Sequence, residues 1–189
     1  MKALIAAADR VREFRLHPLG FFYLQDSVGE GRAQRVHVWL PGGPDRPEND
    51  RHQHSFDIES LVAAGRMRSE LFSFEEEEGG PEVEFAVTYD GKASILSPSG
   101  RRGRLLPIAS FETITGATYR LEAGVIHRVS VTERPCITLV QTQERHIPIF
   151  SYGNEDEAAF DRRLCTEIEA ERIRCLLVDT AGHNRDADD

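Results

Sequence analysis

The sequence predicts an all-β barrel or sandwich with a helix at each end. Many short segments of alternating, β-branched and aromatic residues follow one another between turn signals, which is typical of this fold class. The first and last parts of the chain instead carry apolar residues at helical spacing. A length of 189 residues with 40% hydrophobic composition suits one globular domain with helical extensions.

The first predicted element is a helix in an N-terminal segment that spans residues 1–18. Its apolar residues, from Leu4 to Leu16, nearly fill one stripe of a helical surface. The segment His17-Pro18-Leu19-Gly20 is expected to end this helix.

The barrel is expected over residues 19–150. Strands are predicted at residues 21–24, 35–40, 55–64, 66–74, 82–89, 93–96, 111–114, 117–121, 126–131 and 136–142. Gly65 is expected to form a turn between two of these strands, and Asp90-Gly91 is a strong signal for a hairpin turn.

A second helix is predicted in residues 151–180. Asn154 is the expected N-cap, because acidic residues follow it in the first turn. The apolar stripe of this helix would pack either on its own barrel or across a partner subunit. Residues 181–189 are polar and glycine-containing, and we expect them to be disordered.

Charge and hydropathy argue against several classes of function. The net charge is −9 and no basic stripe is present, so we expect no binding to nucleic acid. No apolar run approaches the length of a membrane span, so no membrane partner is expected. The opening residues become charged too soon for a signal peptide, which favours a cytoplasmic location.

Three histidines carry metal-binding chemistry. His52 and His54 are two residues apart, so on a strand their side chains point to the same face. His127 begins another predicted strand far downstream. Imidazole is the commonest side-chain metal ligand near neutral pH, and three imidazoles on one side of a metal leave coordination positions open. The sequence therefore predicts a metal site formed by His52, His54 and His127.

The two histidine segments resemble the two motifs of the cupin superfamily. His52-x-His54 and Gly65 have the separation of motif 1. The spacing of motif 2 is kept in the segment Gly116-x5-Glu122-x-Gly124-x2-His127. The resemblance covers roughly residues 20–145 and implies a cupin-type double-stranded β-helix, which is a jelly-roll barrel.

The sequence departs from the cupin pattern in four places. Arg46 stands where motif 1 has its first glycine, Glu122 replaces the proline of motif 2, and Val131 replaces its asparagine. The stretch between His54 and His127 is also longer than in compact cupins, so we expect an extra hairpin near residues 75–110.

The resemblance also implies an acidic fourth ligand, whose identity the sequence leaves open. The spacing to Gly65 places Ile58 where a glutamate would stand. Strand parity points residues 52, 54, 56 and 58 to one face and residues 57 and 59 to the other, unless a bulge after His54 reverses it. Asp57 is the acidic residue that we add to the predicted metal set, with Glu59 or neither as the alternatives.

The resemblance implies a metal-dependent enzyme. The implied metal is divalent, with Fe(II) as the first candidate, although Mn, Ni, Cu, Co or Zn would also suit such a site. The implied activity is that of a non-haem Fe(II) oxygenase or dioxygenase acting on a small organic molecule. A non-redox isomerase or lyase and a non-catalytic small-molecule binding or sensing protein are the alternatives. Cupins commonly dimerise, so a homodimer is one implied assembly.

Other side chains are candidates for the pocket, but no catalytic residue is assigned. His37 alternates with Arg35 and Trp39 along a strand, opposite an apolar face. Arg68 and Arg128 are candidates for binding a substrate carboxylate through two parallel hydrogen bonds.

Overall fold

The structure is a computed structural model that describes residues 2–43, 50–89, 93–153 and 159–183. Within these ranges, eleven strands form one antiparallel sheet that closes into a barrel-like body. The strands are β1 (Arg15–Leu16), β2 (Phe22–Gly29), β3 (Arg32–Trp39), β4 (Arg51–His52), β5 (Phe56–Glu76), β6 (Glu82–Tyr89), β7 (Ala93–Ile114), β8 (Thr118–Leu121), β9 (Ile126–Glu144), β10 (Phe150–Gly153) and β11 (Ala159–Asp161). The helices are α1 (Lys2–Asp9) and α2 (Glu167–His183), with a short 3-10 helix at Val11–Glu13. The prediction of an all-β barrel with a helix at each end is confirmed.

Strand β9 organises the barrel because it pairs with β3, β4 and β5. The sequence predicted two strands separated by a turn at Gly65, but β5 runs continuously through this residue. Its pairing with β9 shifts register on both sides of Gly65, so the glycine forms a bulge rather than a turn. Gly65 has a φ of +81°, and a Cβ at this position would lie 2.4 Å from the carbonyl oxygen of Pro135. Only glycine fits this close approach of two strands.

The region between the two histidine segments forms paired strands, which agrees with the extra hairpin expected near residues 75–110. β6 pairs with the first half of β7, and the second half of β7 pairs with β5. β7 includes residues 101–110, which the sequence did not predict as a strand. The predicted Asp90-Gly91 turn and the position of Arg46 lie outside the described residues.

The two helices pack together against one face of the sheet. The buried residues of the helices and of the strands that they cover form the main core. The core contains Leu4, Ala7, Ala8, Val11, Phe14, Phe22, Leu24, Val36, Val38, Leu40, Ala63, Ile137, Ala170, Ile173, Leu177 and Ala181. The apolar stripe of α2 therefore packs within its own chain. Because alternate residues of β3 face this core, Arg35, His37 and Trp39 face the opposite side, which is the barrel interior.

The second helix begins later than the sequence predicted. Residues 151–153 belong to β10, which pairs with both β4 and β6, and α2 starts only at Glu167. Residues 159–161, which the sequence placed in this helix, instead form β11 and pair with β7, so sheet pairing overrides the helical pattern there. The expected N-cap Asn154 and tail residues 184–189 lie outside the described residues, while residues 181–183 end α2. No described helix has the length and apolar character needed to span a membrane.

Candidate metal centre

Three histidine side chains converge inside the barrel. His52 on β4 pairs directly across from His127 on β9, which brings their side chains together. The backbone N–H of Gly124 donates to the carbonyl oxygen of His54 at 3.0 Å. This hydrogen bond joins the two segments that carry the histidines. The ring centroids lie 4.7 Å apart for His52 and His54, 4.6 Å for His52 and His127, and 5.1 Å for His54 and His127. One nitrogen from each ring lies within 4.8 Å of the others, so one ion could contact all three.

Backbone carbonyls orient two of these rings. The Nδ1 of His52 lies 2.9 Å from the carbonyl oxygen of Asp50, and the Nδ1 of His127 lies 2.9 Å from that of Val125. A carbonyl oxygen can only accept, so each Nδ1 carries the proton. The Nε2 of a neutral ring is then an unprotonated acceptor, which is the form that binds a metal. The third ring, that of His54, stacks on Phe56 at a centroid distance of 4.6 Å.

Burial keeps the three imidazoles neutral. It lowers the pKa of His52, lowers that of His54 well below its usual range, and lowers that of His127 to about 3. Desolvation of the charged ring is the largest cause for each histidine, and proximity to the other rings adds to it for His54 and His127. Neutral imidazoles near pH 7 offer lone pairs without first losing a proton.

The predicted acidic ligand Asp57 lies outside this histidine group. Its Oδ1 accepts the backbone N–H of Ala123 at 2.9 Å, and its Oδ2 accepts the Nε of Arg145 at 2.7 Å. The alternative Glu59 is exposed and forms an ion pair with Arg120 at 2.8 Å. Phe56 and Ile58 line the cavity instead, so strand parity holds and no bulge after His54 reverses it.

The three histidines open into an interior cavity of about 600 Å³. About half of its lining side chains are aromatic or aliphatic, and the others are polar or charged. The lining residues include His17, Phe21, Tyr23, Arg35, His37, Trp39, Phe56, Ile58, Met67, Tyr119, Val129, Glu144, Ile149 and Arg162. The placement of His37 in the pocket agrees with its predicted alternation along β3. A cavity of this size and character suits a small organic ligand.

The arginines of the cavity are not those that the sequence singled out for carboxylate binding. Arg128 forms an ion pair with Glu70 at 2.7 Å, and Arg68 is exposed and donates to Ser110. Arg32, Arg35 and Arg162 line the cavity. The alternation that marked His37 applies equally to Arg35, so this signal was present in the sequence. His17 was also missed, because it lies in a segment that reads as a helix stop.

Comparison with known proteins gives distant similarities among solved structures. No protein-family model matches the chain, and no curated protein matches it. The chain is similar to an oxalate decarboxylase of Bacillus subtilis, with 13% identity, a TM-score of 0.42, and coverage of 71% of this chain and 28% of that one. It is also similar to an oxalate oxidase solved with glycolate, with 16% identity, a TM-score of 0.42, and coverage of 70% and 55%. A hydroquinone 1,2-dioxygenase solved with Cd²⁺ and 4-hydroxybenzonitrile gives 18% identity, a TM-score of 0.38, and coverage of 62% and 61%.

The chain spans less than a third of the length of that oxalate decarboxylase. Three features define the site in this chain's own residues. They are the antiparallel strands, the two histidine segments that β4 and β9 bring together, and the cavity into which these segments open. Together these features make the chain a β-barrel with a three-histidine group that could bind one divalent metal ion.

Proposed function

We propose that this protein is a metal-dependent cupin enzyme in which His52, His54 and His127 bind one divalent metal ion. The observation that carries the proposal is the convergence of three neutral rings, of which two donate Nδ1–H to backbone carbonyls. That arrangement presents unprotonated nitrogens toward one point inside the barrel. A structural role alone would not require three imidazoles, one buried and two partly buried, to face one another without a shared hydrogen bond.

We further propose Fe(II) as the metal and a small organic molecule as the substrate of an oxygenase or dioxygenase reaction. Three imidazoles suit ferrous iron, although Mn, Ni, Cu, Co and Zn also accept such ligands. Bound in this site, ferrous iron would supply redox chemistry with dioxygen and coordination positions open to the substrate.

The chain's own residues would position the substrate and exclude water. Trp39, Phe56 and Met67 give the cavity apolar walls, which favour the organic part of a ligand over bulk water. Stacking of His54 on Phe56 restricts one metal-binding ring, and the two backbone carbonyls restrict the others. The site would thus be organised before substrate binds.

Nitric oxide, a spectroscopic probe of open coordination positions on ferrous iron, tests this proposal. The purified protein is loaded with Fe(II) without oxygen, desalted and exposed to nitric oxide. We expect an S = 3/2 iron–nitrosyl EPR signal from the unmodified protein and from His183→Ala, which removes an exposed histidine at the end of α2. His54→Ala should give no protein-bound signal. Stoichiometric iron that gives no nitrosyl signal would contradict the oxygenase proposal and leave a non-redox role for the metal.

A further inference from the structure

The cavity contains an arginine for which the described residues supply no counter-ion. Arg35 lies on β3 and its side chain enters the cavity from the wall that also carries His37 and Trp39. Its Nε is buried without a hydrogen-bond partner. Within the described ranges, no carboxylate lies within ion-pair distance of the Arg35 guanidinium.

The carboxylate of Glu144 does not fill this role, although Glu144 also lines the cavity. Its Oε2 accepts the hydroxyl of Ser55 at 3.0 Å, and its Oε1 accepts the backbone N–H groups of Arg145 and His146 at 3.1 and 2.8 Å. The other two arginines of the cavity are already engaged: Arg162 donates to Ser94 and to the hydroxyl of Tyr23, and Arg32 forms an ion pair with Glu30 at 3.2 Å. Among the described residues, Arg35 is therefore the cavity arginine whose side chain has neither a hydrogen bond nor an ion pair.

Burial of an unpaired charge is unfavourable for folding. Desolvation lowers the pKa of the Arg35 guanidinium, although arginine remains charged at neutral pH. The visible compensation is a contact with an aromatic face, because the guanidinium carbon lies 4.4 Å from the centroid of Phe56. A group that weakens the folded state and faces a cavity is more readily explained by a ligand than by packing.

Phe56 links Arg35 to the metal-binding histidines along one wall of the cavity. The Arg35 guanidinium carbon lies 4.4 Å from the centroid of the Phe56 ring, and the His54 ring stacks on the same Phe56 at 4.6 Å. All three side chains line the same cavity. A small molecule lying against this wall would therefore have the cation and a proposed metal ligand on the same side.

We propose that Arg35 binds a carboxylate of the substrate, whose apolar body lies along the aromatic wall toward the three histidines. A guanidinium offers parallel N–H donors that match the two oxygens of a carboxylate. A phosphate would bring more charge than one unpaired arginine can balance, so Arg35 favours the planar, singly charged carboxylate. The assignment of this ligand as a substrate rests on the proposed function, whereas the anion contact itself does not require a metal.

Calorimetric titration with small aromatic acids tests the contact. Benzoate and phenylacetate are compared with the neutral benzamide and with inorganic phosphate, in zinc-loaded and in metal-free protein. Arg35→Gln should weaken the binding of at least one of the two acids about tenfold and should leave benzamide unaffected. Arg120→Gln, which removes the same charge from an exposed position, is the matched control and should bind like the unmodified protein.

The outcomes separate this inference from the proposed function. If zinc fails to bind but an acid still depends on Arg35 in metal-free protein, the metal proposal fails and the anion site stands. If neither acid binds the unmodified protein more tightly than Arg35→Gln, the inference is overturned. Binding of phosphate that depends on Arg35, without binding of either acid, would also overturn the assignment of a carboxylate.

Thermal unfolding shows whether Arg35 has a structural role instead. Arg35→Met removes the unpaired charge and keeps an unbranched side chain against Phe56. Its metal-free form should unfold at a temperature equal to or above that of the unmodified protein, because no ion pair is lost. A clearly lower unfolding temperature would show that Arg35 stabilises the fold, and would overturn its assignment as a ligand-binding residue.

Discussion

His52 and His127 share a local arrangement that defines the site at the scale of single residues. Each donates Nδ1–H to the carbonyl oxygen two residues before it in the chain, Asp50 for one and Val125 for the other. The same hydrogen bond is thus built on two strands that face each other. It selects the tautomer that presents Nε2 to the cavity, so the backbone determines which nitrogen can bind a metal.

Asp57→Asn tests whether Asp57 is a fourth metal ligand. The structure engages both carboxylate oxygens with Ala123 and Arg145, so we expect metal stoichiometry to stay unchanged in this variant. Loss of the ion pair should lower the free energy of unfolding only slightly, because both side chains are partly exposed to solvent. Metal analysis and urea unfolding measure the two effects. Loss of metal without loss of stability would instead make Asp57 a ligand.

The bulge in β5 is the feature that lets this long strand bend across the barrel. Gly65→Ala should lower the free energy of unfolding by about 3 kcal/mol, because a Cβ would meet the backbone of β9 at a positive φ. Gly100→Ala is the matched control, since Gly100 has a φ of +89° with nothing within 4 Å of a Cβ. The free energy of unfolding of Gly100→Ala should decrease by only about 1 kcal/mol, which is the cost of placing a side chain at a positive φ. Equal losses in urea unfolding would refute the close-approach explanation.

The start of α2 is set by a reciprocal cap. The hydroxyl of Thr166 accepts the N–H of Glu169 at 3.3 Å, and the Glu169 carboxylate accepts the N–H of Thr166 at 2.7 Å. Thr166→Ala should therefore lower the free energy of unfolding by about 1 kcal/mol in chemical denaturation. Thr166→Ser keeps the hydroxyl and should recover most of that loss. If both variants behave alike, the cap does not contribute.

The sequence predicted the elements that follow from local pattern and missed those that depend on pairing. His-x-His and the spacing before His127 identified the three rings that the structure brings together, since alternation along a strand is a local property. The continuity of β5 through Gly65 depends on its register with β9, which no local pattern encodes. Thr166 and Glu169 have the spacing of a capping box, which is a signal for the start of a helix. The acidic residues after Asn154 favoured an earlier start, which the structure does not show.

The five histidines around the cavity make the stability of the whole molecule depend on pH. Burial lowers the pKa of each, to about 3 for His37 and His127. Below about pH 6.5 the unfolded chain binds protons that the folded chain does not, so stability decreases as the pH falls. The contribution of His37 alone amounts to about 2 kcal/mol between pH 7 and pH 5.

Urea unfolding of the metal-free protein at pH 7 and pH 5 measures this dependence. The unmodified protein should lose more stability over this interval than His37→Gln, which retains a polar side chain but cannot be protonated. His183→Gln changes an exposed histidine and should follow the unmodified protein. Identical pH slopes for the unmodified protein and His37→Gln would mean that His37 is not buried in its neutral form.

Metal stoichiometry is the most direct test of whether His52, His54 and His127 bind one metal ion. Protein loaded with Fe(II) without oxygen and then desalted is analysed by mass spectrometry for metal content. We expect about one iron per chain for the unmodified protein and His183→Ala, and a small fraction of that for His54→Ala and His127→Ala. Equal metal content in all four proteins, or little metal in the unmodified protein, would show that these histidines do not form a metal site.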